Sequence, residues 1–92
     1  MAYEWDMGKA SMNFAKHGVL FTDAVDFEWD RAMGWVDARR DCGEAREIAV
    51  APLCGRMHVM VFTRRCGKIR IISLRKANQR EMEAYERSVN QC

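Results

Sequence analysis

Eight lysines and arginines, Arg56, Arg64, Arg65, Lys68, Arg70, Arg75, Lys76 and Arg80, fall within residues 48–80, thirty-three positions that hold no Asp or Glu. Cations gathered without intervening carboxylates can receive a polyanion or an acidic protein surface, because nothing nearby in sequence cancels their field. The whole chain carries a formal charge of only +2. Its charge is therefore partitioned: residues 1–47 sum to −4, residues 48–80 to +8 and residues 81–92 to −2. Outside the basic stretch, His17 has the side chain that titrates nearest neutral pH and could act as acid or base. Followed by Gly18, it could instead bond the last carbonyls of a helix. His58, inside an apolar run, reads as a buried and satisfied histidine. Lys16 is a phosphate contact or a solvated helix-end cation, and Glu44 a base or an ion-pair partner of Arg46.

These groups need a scaffold, and 92 residues make one domain, 1–92, with a single core. A hydrophobic share of 49% with 30% charged residues is a globular composition. No apolar run approaches the roughly 20 residues that span a bilayer. The opening residues lack a basic leader and an apolar h-region, so a cytoplasmic location is expected, with no membrane partner. Cys42, Cys54, Cys66 and Cys92 form no close pair and have no histidine at ligand spacing, so they are expected to be free thiols rather than metal ligands.

Asp6 is placed to cap a first helix through about residue 16, with Ala10, Phe14 and His17 on one face and Gly18 as its left-handed end. Thr22 can cap a second, short helix to about residue 28, turning Phe21, Val25 and Trp29 to the core. Residues 32–37 form a weak strand and residues 38–44 a polar loop. Residues 46–51, 57–65 and 68–75 read as better strands, with Cys66-Gly67 as a hairpin turn. Asn78 and Glu81 form a capping box for a last helix with Met82, Tyr85 and Val89 along one stripe. Trp5, Trp29 and Trp35 read as core or partner contacts. The fold class expected is α+β: two N-terminal helices, a three- to four-stranded mainly antiparallel sheet, and a C-terminal helix.

Several motifs in order match one family. They are Glu4-Trp5-Asp6 with Lys9, Asn13 and Lys16-His17-Gly18-Val19, then Phe21 and Ala24. Gly43-Glu44 with Arg46 and Ala49 follows, then Val61-Phe62-Thr63 with Arg65. Ile69-Arg70-Ile71-Ile72-Ser73 with Arg75, Ala77, Glu81 and Tyr85 completes the set. The chain resembles the BrnT-type toxins. The resemblance implies a RelE-like fold and a ribonuclease of a type II toxin-antitoxin pair. It also implies partners: a cognate BrnA-like antitoxin that neutralises the toxin, an RNA substrate, and operator DNA reached only through the antitoxin.

RNA cleavage without a metal or other cofactor requires removal of the 2′-hydroxyl proton, stabilisation of charge at phosphorus, and stabilisation of the departing 5′-oxygen. Fixed guanidinium groups can supply much of this electrostatically. The residues expected to act are Arg64, Arg75, Arg80 and His17, with Lys16, Arg65, Lys68, Arg70 and Lys76 binding RNA. Strand alternation places Arg70 and Arg75 on opposite faces unless the strand bends. Two alternatives remain from the sequence: a non-catalytic module binding an antitoxin or nucleic acid, and a toxin of the same fold with another target, such as gyrase.

Overall fold

The computed structural model describes residues 2–41 and 43–90, apart from the side chains of 38–41. The chain begins with strand β1 (Tyr3–Glu4), helix α1 (Met7–His17) and two 3₁₀ helices (Phe21–Asp26 and Trp29–Arg31). Strands β2 (Met33–Asp41), β3 (Glu44–Leu53), β4 (Arg56–Arg65) and β5 (Lys68–Lys76) follow as an antiparallel meander, and helix α2 (Gln79–Asn90) comes last. The sheet has the order β1-β5-β4-β3-β2, with β1 parallel to β5. The α+β class agrees with the sequence reading, and the details differ in four places.

First, the sheet has five strands rather than three or four. Two residues of β1 carry no readable alternation, yet they pair with Ile69 and Arg70 because the β5 edge offers unpaired backbone groups. Second, the expected polar loop over residues 38–44 is largely strand: Arg40 pairs with Ala45 and Asp41 with Glu44 beyond a bulge. An edge strand needs hydrogen-bonding partners more than apolar side chains. Third, the second helix is replaced by the 3₁₀ turns. Phe21, Ala24 and Phe27 are all buried, a spacing of three that matches 3.0 residues per turn, whereas Val25 is 75% exposed. Fourth, α2 buries none of its residues completely. Its Tyr85 hydroxyl donates to the Arg31 carbonyl at 2.7 Å instead of filling the core.

Other readings hold. Asp6 caps α1 by accepting from the Lys9 amide at 2.9 Å, and Gly18 ends it at φ 71° with its amide bonded to Phe14 O at 2.8 Å. Asn78 and Glu81 exchange side chain to backbone bonds of 2.8 and 2.9 Å at the start of α2. Cys66-Gly67 turns tightly with φ 51° and 76°, and Cys54-Gly55 does the same between β3 and β4 with φ 52° and 80°. Paired positive φ angles suit the right-handed twist of a two-residue hairpin. Cys54 and Cys66 are free thiols, while Cys42 and Cys92 lie outside the described residues.

The core occupies one face of the sheet, where Met60, Phe62, Ile71 and Leu74 meet Phe21 and Phe27 from the N-terminal segment. Trp29 packs edge-on against Phe27 and Phe62, at centroid distances of 4.9 and 5.2 Å. Its indole N–H donates to the Tyr3 hydroxyl at 2.6 Å, which donates in turn to the Ala24 carbonyl at 3.0 Å. That relay satisfies the polar ends of aromatic groups whose burial stabilises the fold. Trp5 also packs on the core, but Trp35 is 46% exposed.

Candidate functional site

The second face of the sheet is where the basic residues gather, and a bulge decides which ones. Along β4 and β5, Phe62 pairs with Ile71 and Met60 with Leu74, all four on the core face. Val61 pairs with Ser73, so Ile72 is an extra residue that slips the alternation of β5 by one. Thr63 with Arg70, and Val59 with Arg75, consequently share the face opposite the core. The expectation that Arg70 and Arg75 lie on opposite faces is corrected by this bulge. The sequence carries its trace, since the apolar residues Ile69, Ile71 and Leu74 break step between the last two.

Helix α1 lies along the free edge of β5 next to this bulge, held there by Asn13. That side chain accepts from the Leu74 amide at 3.1 Å and donates to the Leu74 carbonyl at 2.8 Å and the Val19 carbonyl at 3.1 Å. It thus substitutes for a missing strand partner. Sequence reasoning favoured Phe14 for the inward face, yet Phe14 is 50% exposed and Asn13 is buried. The available signal was a polar residue beside Ala10 on an otherwise apolar stripe.

Between α1 and the bulge runs an open groove of about 530 Å³, lined by Lys9, Met12, Lys16, His17, Ile72 and Ser73 among others. The proton affinity of His17 is lowered by burial, then by the charges of Lys16 and Arg75. At neutral pH it is therefore an uncharged imidazole beside two cations. Arg75 is gripped by Glu81 through two bonds of 2.8 and 2.7 Å, which raise the proton affinity of the guanidinium. Glu81 is correspondingly held below the ordinary carboxylate range, chiefly by those bonds to Arg75. Of the expected set, Lys16 and His17 thus line one groove with Ser73 of β5, and Arg75 lies two residues further along that strand, its charge reaching His17.

The remaining candidates are dispersed. Arg70 shares the open face and bonds Glu4 at 3.2 Å. Arg64 points to the core side, stacked 5.6 Å from the Phe62 ring centroid and paired with Glu47 at 2.8 Å. Arg65, at the far end of the open face, is paired with Glu44 at 2.8 Å. That pairing corrects the expected Glu44–Arg46 bridge. Lys68 is exposed opposite Arg65, and Lys76 is exposed opposite His58 on the core side. Arg80 is exposed on the first turn of α2, next in sequence to the partner of Arg75. His58 is buried with Nδ1 at 2.8 Å from the Arg56 carbonyl, as a structural histidine should be. Among the described residues no three His, Cys, Asp or Glu side chains gather as a metal site, and no helix is long and apolar enough to cross a membrane.

A family model described as ribonuclease toxin, BrnT, of type II toxin-antitoxin system matches residues 5–81. The chain belongs to the BrnT family. No curated protein matches it. Membership in the BrnT family makes it a ribonuclease toxin of the type II class, whose biology implies an antitoxin partner. The BrnT match begins just after β1 and covers α1, the whole meander and the start of α2 through Glu81, so it includes Lys16, His17, the bulge and Arg75.

Proposed function

We propose that the protein cleaves RNA by metal-independent phosphate chemistry in the groove between α1 and bulged β5, and that a BrnA-like antitoxin silences it by covering this groove. The observation that carries the reading is the groove itself, which Lys16 and His17 of α1 line together with Ser73 of β5, two residues before Arg75, whose charge helps keep His17 neutral. Neutral His17 accepts the 2′-hydroxyl proton as that oxygen attacks phosphorus. Lys16 and Arg75 face the phosphate oxygens, where negative charge grows in the transition state. The same imidazole, now protonated, can return its proton to the departing 5′-oxygen. Arg70 and exposed Arg80 bind flanking phosphates. Operator DNA is reached only through the antitoxin.

The test is cleavage of a labelled oligoribonucleotide by antitoxin-free protein in excess chelator. Scission ending in a cyclic phosphate is expected, and Arg75→Ala should lower kcat/KM by roughly 10²- to 10³-fold. Intact RNA after incubation with folded protein would overturn the reading.

One observation favours a second reading, a non-catalytic binding module. Arg64, Arg65, Arg70 and Arg75 are each paired with a glutamate, so their charge is partly met inside the fold. Such a module binds RNA or an acidic antitoxin in a salt-dependent way and never breaks the strand.

A further inference from the structure

On the face opposite the core, one rung of the sheet sets two arginines and a threonine between two carboxylates and leaves two buried donors without a partner. Asp37 pairs with Arg46 across β2 and β3, Thr63 pairs with Arg70 across β4 and β5, and Arg70 with Glu4 of β1. The register that sets Glu47 opposite Phe62 puts Arg46 next to Thr63, so Arg46, Thr63 and Arg70 lie side by side on three adjacent strands. Thr63 is completely buried, although the core cluster lies on the other face of β4. Its hydroxyl and the Nε of Arg46 are both withdrawn from water, and neither has a hydrogen-bond partner. Arg46 and Arg70 flank the threonine two strand spacings apart, about 9.6 Å. A buried donor left unmade is costly. Here the Thr63 hydroxyl and the Arg46 Nε–H lack the same thing, an oxygen with lone pairs to spare. Glu4 meets Arg70 at one end only.

We propose that Arg46, Thr63 and Arg70 form a second phosphate subsite, which takes a backbone phosphate adjacent to the one held in the groove. The inference rests on the RNA-cleaving reading for its choice of ligand. Thr63 lies two residues along β4 from Val61, whose partner Ser73 lines the groove, a distance of about 7 Å. That step is comparable with the spacing of successive phosphates on an extended single strand. Arg46 and Thr63 then act in substrate binding and touch no reacting atom.

The experiment measures binding of a short 2′-O-methyl oligoribonucleotide to wild type, Arg46→Gln and Thr63→Val across a salt series. Because this probe cannot be cleaved, the result stands apart from whether the protein cuts RNA. Arg46→Gln is expected to weaken binding roughly tenfold, with the slope of log K against log salt reduced by about 0.7. Thr63→Val should weaken it severalfold while leaving the melting temperature unchanged or higher, since it removes an unsatisfied hydroxyl. On cleavable RNA both should raise KM and leave kcat near wild type. Wild-type affinity and slope in both variants would overturn the proposal, as would failure of wild type to bind the probe. Weakening confined to the antitoxin complex would assign the rung to a protein ligand and also overturn it.

Discussion

His17 is set apart from ordinary surface histidines by its partial burial in the groove wall and, after that, by the positive charge of its neighbours. Burial lowers its proton affinity most, and Lys16 and Arg75 lower it further. The group therefore charges only below its ordinary value of about 6.5. If it is the base, kcat/KM should be flat through neutral pH, with its acidic limb below about pH 6.5. Lys16→Gln removes one of the causes and should shift that limb upward, while also lowering the plateau because Lys16 faces the phosphate. A limb that stays in place in Lys16→Gln, or a His17→Gln variant with wild-type activity, would remove His17 from the reaction. The signal legible in sequence was the Lys16-His17-Gly18 helix end. Its closeness to Arg75, fifty-eight positions later, was not.

At the scale of elements, α1 and α2 are tethered by a few polar side chains, and neither helix buries an apolar residue completely. Asn13 satisfies both backbone groups of Leu74, and Asn13→Ala would leave buried Leu74 N–H and C=O groups unpaired. The cost is about 3 kcal/mol, a loss of more than about 10 °C in Tm for a domain of this size. A thermal melt within a few degrees of wild type would show that α1 is held by other contacts. Glu81 ties α2 to Arg75, and its folded proton affinity is depressed. Stability from this carboxylate is therefore fully present above the ordinary glutamate value of about 4.3 and is lost as pH falls through the lower folded value. The Tm difference between wild type and Glu81→Gln should be constant above about pH 5.5 and shrink progressively below it. Both caps of α1, the capping box of α2 and the Cys66-Gly67 turn were legible because each is a local arrangement of a few residues. The 3₁₀ turns were not, because a stripe of Phe21, Val25 and Trp29 reads as helix until the sheet demands burial at every third residue.

For the whole molecule, the sheet separates its cations into two populations that no single ligand can meet. Arg64 and Lys76 belong to the core side, whereas Arg70 and Arg75 belong to the open side with α1 at its edge. Arg64→Gln should accordingly change RNA affinity and kcat/KM less than about twofold, because exposed ion pairs of this kind contribute little and lie away from the groove. Loss of cleavage comparable to that of Arg75→Ala would place the reaction on the core side. What the sequence by itself determined was the α+β class, the helix caps, the hairpins and the local excess of positive charge, all set by neighbours within a few residues. It also carried the ordered motifs of the BrnT family. Only the tertiary structure decided which cations share a face, since one extra residue at Ile72 inverts every side chain beyond it. Only the packing of α1 against β5 brings Lys16 and His17 to Arg75, because that contact spans most of the chain and depends on a buried asparagine pairing with a strand edge.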